Sequence, residues 1–149
     1  MKVSTRVEYG LVALTDIAIN SAGGKTVSSS DISVRQNISQ KYLEQIIIAL
    51  RQGGFVKGRK GSQGGYVLSR SAESILLSDI LDALDNSILA DSCENTAENP
   101  NDIRSSVNSC LWSKINSNMR RFAREMTLAD LIKEYNINLS RSSDYMYYI

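Results

Sequence analysis

The 149-residue sequence contains no histidine. Its absence removes Ser-His-Asp and Cys-His nucleophilic catalysis, together with the commonest zinc ligand. Clustered carboxylates do not fill the gap. Asp79, Asp82 and Asp85 share a helical spacing, but acids at such spacing on an exposed face form a solvated stripe rather than an acid–base pair. No Walker-type loop or dinucleotide fingerprint occurs, so an enzyme is not expected. No apolar run approaches the ~18 residues of a membrane span. The segment Met1–Arg6 is polar and lacks a signal-peptide core, so a cytoplasmic protein with no membrane partner is expected. Cysteine is scarce, at two residues, Cys93 and Cys110. In a reducing compartment these read as free, redox-active or metal-bound thiols rather than a structural disulfide.

Charge is present but unevenly placed. The net charge of the whole chain is +1. Residues 1–70 carry 10 Lys/Arg against 4 Asp/Glu, whereas residues 71–149 carry 7 against 12. Between Arg70 and Arg104 there are eight acids and no base. A basic half beside an acidic half points to one part that meets a polyanion and another that does not.

The basic half reads as a winged helix. Val7, Leu11, Leu14 and Ala18 repeat at helical spacing, and Gly23-Gly24 ends that helix. Ser28 with Asp31 caps a second, short helix, which Val27 and Ile32 can staple and Asn37 can stop in a left-handed conformation. Ser39 caps a third helix running through Leu43, Ile46, Ile47 and Leu50 to Gly53-Gly54. Phe55-Val56 and Tyr66-Val67-Leu68 flank a glycine-rich, acid-free loop, the pattern of a hairpin. The N-terminal surface of the third helix offers Ser39, Gln40, Lys41, Tyr42, Glu44 and Gln45. Gln suits adenine, Glu suits cytosine N4, and Ser, Lys and Tyr suit phosphates. Arg59, Lys60, Gly61 and Ser62 form a cationic wing tip for backbone or minor groove. The alternative is a solvated face and loop in a winged-helix module that binds protein rather than DNA.

The expected fold is mainly α with a small β-hairpin: a winged helix-turn-helix plus a long dimerisation helix. Residues 1–85 form the DNA-binding domain, with a helix at Leu77–Asp85 carrying Ile80, Leu81 and Leu84. Residues 86–107 form an acidic loop, 108–135 two dimerisation helices ending near Tyr135, and 136–149 a tail. Leu111, Trp112, Ile115, Met119 and Phe122 make the longest amphipathic stripe. It either packs within one subunit or meets its copy, and the lack of other core to cover a helix rich in Trp112, Met119 and Phe122 favours the copy.

Several segments resemble the IscR/CymR-type winged-helix transcription regulators. They are Lys2–Arg6 with Tyr9-Gly10-Leu11, Asp31–Ser39, Tyr42-Leu43-Glu44-Gln45 and Gly61–Leu68. The resemblance implies a homodimeric repressor or activator on pseudo-palindromic double-stranded DNA. It places Ser39, Lys41, Tyr42, Glu44 and Gln45 in the major groove and the wing in the minor groove. Lys60 stands where such regulators carry an arginine, and Glu8 where a basic residue is common. One branch binds a 2Fe–2S cluster through three cysteines after the Leu77–Asp85 helix. Cys93 matches the first position, but Ala97, Ser105 and Ser106 stand where further thiolates are needed, and Cys110 lies beyond them. The resemblance therefore leaves open an incomplete or dimer-shared ligand set and a cluster-free form. In the latter, Cys93 is a loop thiol and Cys110 a small packing residue. A second branch, which regulates cysteine metabolism, shares the Tyr147-Tyr148-Ile149 ending. It implies capture of Ile149 by a partner such as a cysteine synthase. Otherwise Tyr145, Tyr147 and Tyr148 pack back on the domain or across the dimer.

Overall fold

The computed structural model describes residues 3–90 and 102–147. Helix α1 (Thr5–Asn20) starts where the Ser4 hydroxyl accepts the Val7 N–H. Helix α2 (Ser29–Gln36) starts where the Ser28 Oγ accepts the Asp31 N–H at 3.1 Å. It stops at Asn37, which takes the left-handed conformation at φ 52°. An asparagine tolerates that region better than most side chains, so the tight turn into the next helix falls here. Ser39 then caps α3 (Gln40–Gln52) by accepting the Tyr42 N–H. Each such cap is worth about 0.5–2 kcal/mol.

Strands β1 (Val56–Arg59) and β2 (Gly65–Leu68) pair antiparallel, with Val56 opposite Leu68 and Arg59 opposite Gly65. The strands extend further than the sequence pattern predicts, leaving only Lys60–Gly64 as the tip. Val27 adds a third edge by exchanging two backbone hydrogen bonds with Tyr66, at 3.0 and 2.8 Å. Gly65 permits that approach, because a Cβ there would lie 2.7 Å from the Val27 carbonyl oxygen. Helix α4 (Leu77–Leu84) crosses α1 closely enough that a Cβ on Gly10 would meet Leu84 at 2.4 Å.

One core joins these elements. Leu14, Ile17, Ile32, Leu43, Ile46, Ile47, Leu50, Phe55, Ile75 and Ile80 are all essentially inaccessible. The four apolar positions expected to bury α3 all do so. On α1 the buried set is Val7, Gly10, Ala13, Leu14, Asp16 and Ile17, while Leu11 and Ala18 sit half-buried at its edge.

The second half differs from the expected outline. Helix begins at Ile103, inside the stretch read as an acidic loop. Helix α5 (Ile103–Val107) passes through a π turn at Asn108–Trp112 into α6 (Ser113–Glu125) without leaving helical dihedrals. Helix α7 (Leu128–Met146) carries a full capping box at Thr127 and Asp130, and runs eleven residues past Tyr135. The α6–α7 turn is fastened to the winged helix. Leu77 N–H donates to the Met126 carbonyl at 2.8 Å, Leu128 N–H donates to the Ile75 carbonyl at 2.9 Å, and Leu128 is fully buried. Among the described residues, no helix is long and apolar enough to cross a membrane.

Candidate nucleic-acid interface

Helix α3 is half core and half surface. With its apolar face turned inward, Ser39, Gln40, Lys41, Glu44 and Gln45 all face solvent. Gln40 Nε2 donates to Glu44 Oε1 at 3.3 Å, which ties together two of the side chains expected to read bases. Tyr42 is half-buried, its ring edge-on to Tyr9 with centroids 6.0 Å apart. That ring therefore also packs α3 on α1.

At the hairpin, Arg59, Lys60, Gly61 and Ser62 are exposed. Arg59 Nη1 donates to the Gly24 carbonyl at 3.3 Å, so this side chain leans onto the α1–α2 turn. Lys60 is the cation of the tip itself. Gly64 N–H donates to the Gly61 carbonyl at 2.9 Å, which closes the tip into a tight turn. Thr26 Oγ1 donates to the Gln63 carbonyl at 2.5 Å and anchors the tip to the chain entering α2. Wing and helix-turn-helix are thus one framework.

The sequence pattern did not reveal what holds α2 in place. Asp16, on the buried side of α1, has a side chain only 1% exposed. Arg35 grips it with two donors, Nη2 to Oδ1 at 2.6 Å and Nε to Oδ2 at 3.0 Å. Gln36 Nε2 adds a bond at 2.7 Å and Asn20 Nδ2 one at 3.3 Å. Burial alone would raise the Asp16 carboxyl, but the hydrogen bonds and charge of Arg35, with help from Gln36 and Asn20, hold it below its ordinary value. The Arg35 guanidinium is raised in turn, chiefly by its hydrogen bonds to Asp16. The signal in the sequence was a lone carboxylate between Ala13 and Ile17, and its partner stands 19 residues away.

The matching long helix exposes most of its stripe. Leu111, Trp112, Ile115 and Phe122 are 47%, 47%, 42% and 59% exposed. Within one subunit they are only about half covered. Met119 instead lines a cleft with Val3, Asp85 and Ile88, and Ala123 is the buried contact of α6. Cys110 is exposed within the π turn, so it is not a packing residue of this subunit. Cys93 and Ile149 lie outside the described residues. Tyr145 and Tyr147 are 79% and 89% exposed, so they do not fold back on their own domain, which leaves packing across a dimer as the other half of that reading; Tyr148 lies outside the described residues.

The arrangement is that of a winged-helix regulator, and relatives agree. Residues 3–134 match Rrf2, described as iron-dependent transcriptional regulators. The chain belongs to the Rrf2 family. It is a transcriptional regulator and not an enzyme. It is 36% identical over 136 residues to the HTH-type transcriptional regulator IscR of Cereibacter sphaeroides, covering 89% of this chain and 88% of that one. Among solved structures, CymR, the global cysteine regulator of B. subtilis, superposes with a TM-score of 0.76 at 30% identity. The match covers 90% of this chain and 98% of CymR. IscR of T. potens superposes with a TM-score of 0.72 at 35% identity, covering 91% and 88%.

The residues of this Rrf2 chain do not supply the three-thiolate site implied by the cluster-binding branch. The whole sequence offers two cysteines and no histidine. Among the described residues, no group of three or more His, Cys, Asp or Glu is placed to hold a metal ion. Iron–sulfur ligation calls for soft thiolates, or imidazole in their place.

Proposed function

We propose that this chain is a homodimeric, cytoplasmic repressor that binds a pseudo-palindromic DNA operator controlling genes of cysteine or iron–sulfur metabolism. The outer face of α3 enters the major groove. Gln45 and Glu44 read base edges there, while Ser39, Lys41 and Tyr42 hold phosphates. Lys60, with Arg59, Gly61 and Ser62, reaches the flanking minor groove or its backbone.

The observation that carries this reading is the solvent-facing polar surface of α3, built onto one framework with a wing whose tip presents Lys60. The exposed stripe of α5–α6 supports the dimer. Leu111, Trp112, Ile115 and Phe122 form an apolar surface whose burial against a symmetric copy sets two recognition helices at a fixed spacing. The description of B. subtilis CymR as a global cysteine regulator, and of the family as iron-dependent regulators, supports the gene class. The regulatory signal is proposed to act without a resident three-cysteine cluster.

Binding measured on random-sequence and selected duplexes tests the reading. Lys41→Ala should weaken all duplexes alike, and Gln45→Ala should relax preference at one base pair. A winged helix that binds only protein would leave both variants indistinguishable from wild type.

A further inference from the structure

One side chain on the outer face of α3 does not match its neighbours. Ile48 is 52% exposed. It lies seven residues after Lys41, two helical turns further on, and so on the same side of the helix. Its turn-neighbours are Glu44, Gln45, Arg51 and Gln52, all exposed. The buried row of Leu43, Ile46, Ile47 and Leu50 occupies the opposite side. Ile48 is therefore central to the face that meets DNA, and it is the only apolar residue of α3 that is exposed.

Helix propensity does not account for it. A β-branched residue at an exposed helical position is a poorer choice than the Lys, Gln or Glu used around it. A protein-docking patch does not account for it either. Such patches need contiguous apolar area of several hundred Å². Ile48 instead lines a groove with Arg51, Gln52, Val56 and Lys57, and Val56 is buried. Arg51 and Lys57 take part in neither ion pair found among the described residues. The surroundings are thus cationic, as a phosphate-flanked ligand requires. The major groove presents one apolar group at its floor, the C5 methyl of thymine.

We infer that Ile48 is a specificity-determining residue that packs against a thymine methyl in each half-site of the operator. Ile48 lies about 4.5 Å along the helix beyond Gln45, which is roughly one base-pair step. The thymine is therefore one or two pairs from the base read by Gln45. This inference rests on the proposed DNA-binding role and sharpens it.

The test uses the full-length protein and a duplex selected by it from a random pool. Each thymine is replaced singly by deoxyuridine, which deletes only the methyl. Wild type should lose about fourfold in affinity per half-site at one thymine, the worth of a buried methyl-sized group. Ile48→Ala should bind the parent duplex about fourfold more weakly and show no further loss with deoxyuridine there. Ile48→Val should retain the sensitivity. Because Ile48 is half exposed, these variants fold, and circular dichroism checks that they do. A flat deoxyuridine scan for wild type on a selectively bound duplex overturns the thymine contact while leaving the DNA-binding role standing. Equal deoxyuridine losses in wild type and Ile48→Ala overturn it too. Failure of wild type to select any duplex overturns the DNA-binding role and this inference together.

Discussion

The winged helix and the C-terminal helices treat the same amphipathic pattern in opposite ways. In residues 3–90, apolar stripes on α1, α3 and α4 are consumed by one core, and Leu14, Leu43, Leu50 and Ile80 reach zero exposure. In residues 102–147, an equally regular stripe on α5–α6 stays about half exposed, and the buried anchors of this half are Ala123 on α6 and Leu128 at the start of α7. Periodicity identifies a helix and its apolar face, but it does not say whether the surface that covers the face belongs to the same chain. The first half covers its stripes within one copy, whereas the second leaves its stripe about half exposed.

Four changes probe that contrast. The largest effect lies in the self-sufficient half. Removing the Asp16 carboxylate deletes the bonds from Arg35, Gln36 and Asn20, and because the Arg35 side chain is 39% exposed and can turn to water, the cost is about 1.5–3 kcal/mol. Asp16→Ala should show this in urea unfolding of the folded chain. The same contact gives a pH signature. Because the Asp16 carboxyl is held low in the folded state, its stabilisation is complete above the unfolded value of ~3.9. It is lost as pH falls further, through the folded value. Stability of wild type should therefore drop more steeply below that pH than stability of Asp16→Asn.

The next effect lies in the half proposed to dimerise. Phe122→Asp, or Leu111→Asp with it, should yield a monomer by light scattering at micromolar concentration. Operator affinity should fall by about a hundredfold, because the linkage between half-sites is gone. The circular dichroism of the winged helix should be intact. A monomeric wild type would remove the contrast altogether. Third, Gln45→Ala should cost about 1–3 kcal/mol on the selected operator and little on random duplexes. Last, deleting Asp144–Ile149 should move unfolding stability by less than about 0.5 kcal/mol, since exposed residues carry little. It should nonetheless abolish pull-down of cysteine synthase if the tail is a captured peptide. Unchanged capture would sink that role.

Much of the fold was legible because local chemistry fixed it. Ser28, Asn37 and Ser39 bracket two helices and the turn between them, and the glycines around Lys60 leave little choice but a hairpin. Legibility failed where the deciding partner was distant or the composition misled. Asp16 looks misplaced until Arg35 folds over it. The stretch Asn136–Asp144, rich in Asn and Ser, has a weak helical pattern, yet the Thr127–Asp130 capping box starts a helix that runs through it. Ile103 opens a helix next to an acidic segment that masks its start. At the candidate site, the N-terminal face of α3 was read from polarity. Ile48 was passed over because an isoleucine in a helix is usually assigned to the core.

In the proposed mode of binding, the basic half meets phosphates. Titrating binding to a selected duplex against salt tests it most directly. Each neutralised phosphate contributes a slope of about −0.9 in log K against log salt. With Lys41, Lys60 and their two-fold copies engaged, a slope steeper than about −3 is predicted, and Lys41→Ala should make it shallower. Binding that is flat against salt, or a slope that the loss of Lys41 and Lys60 together leaves unchanged, would contradict the account.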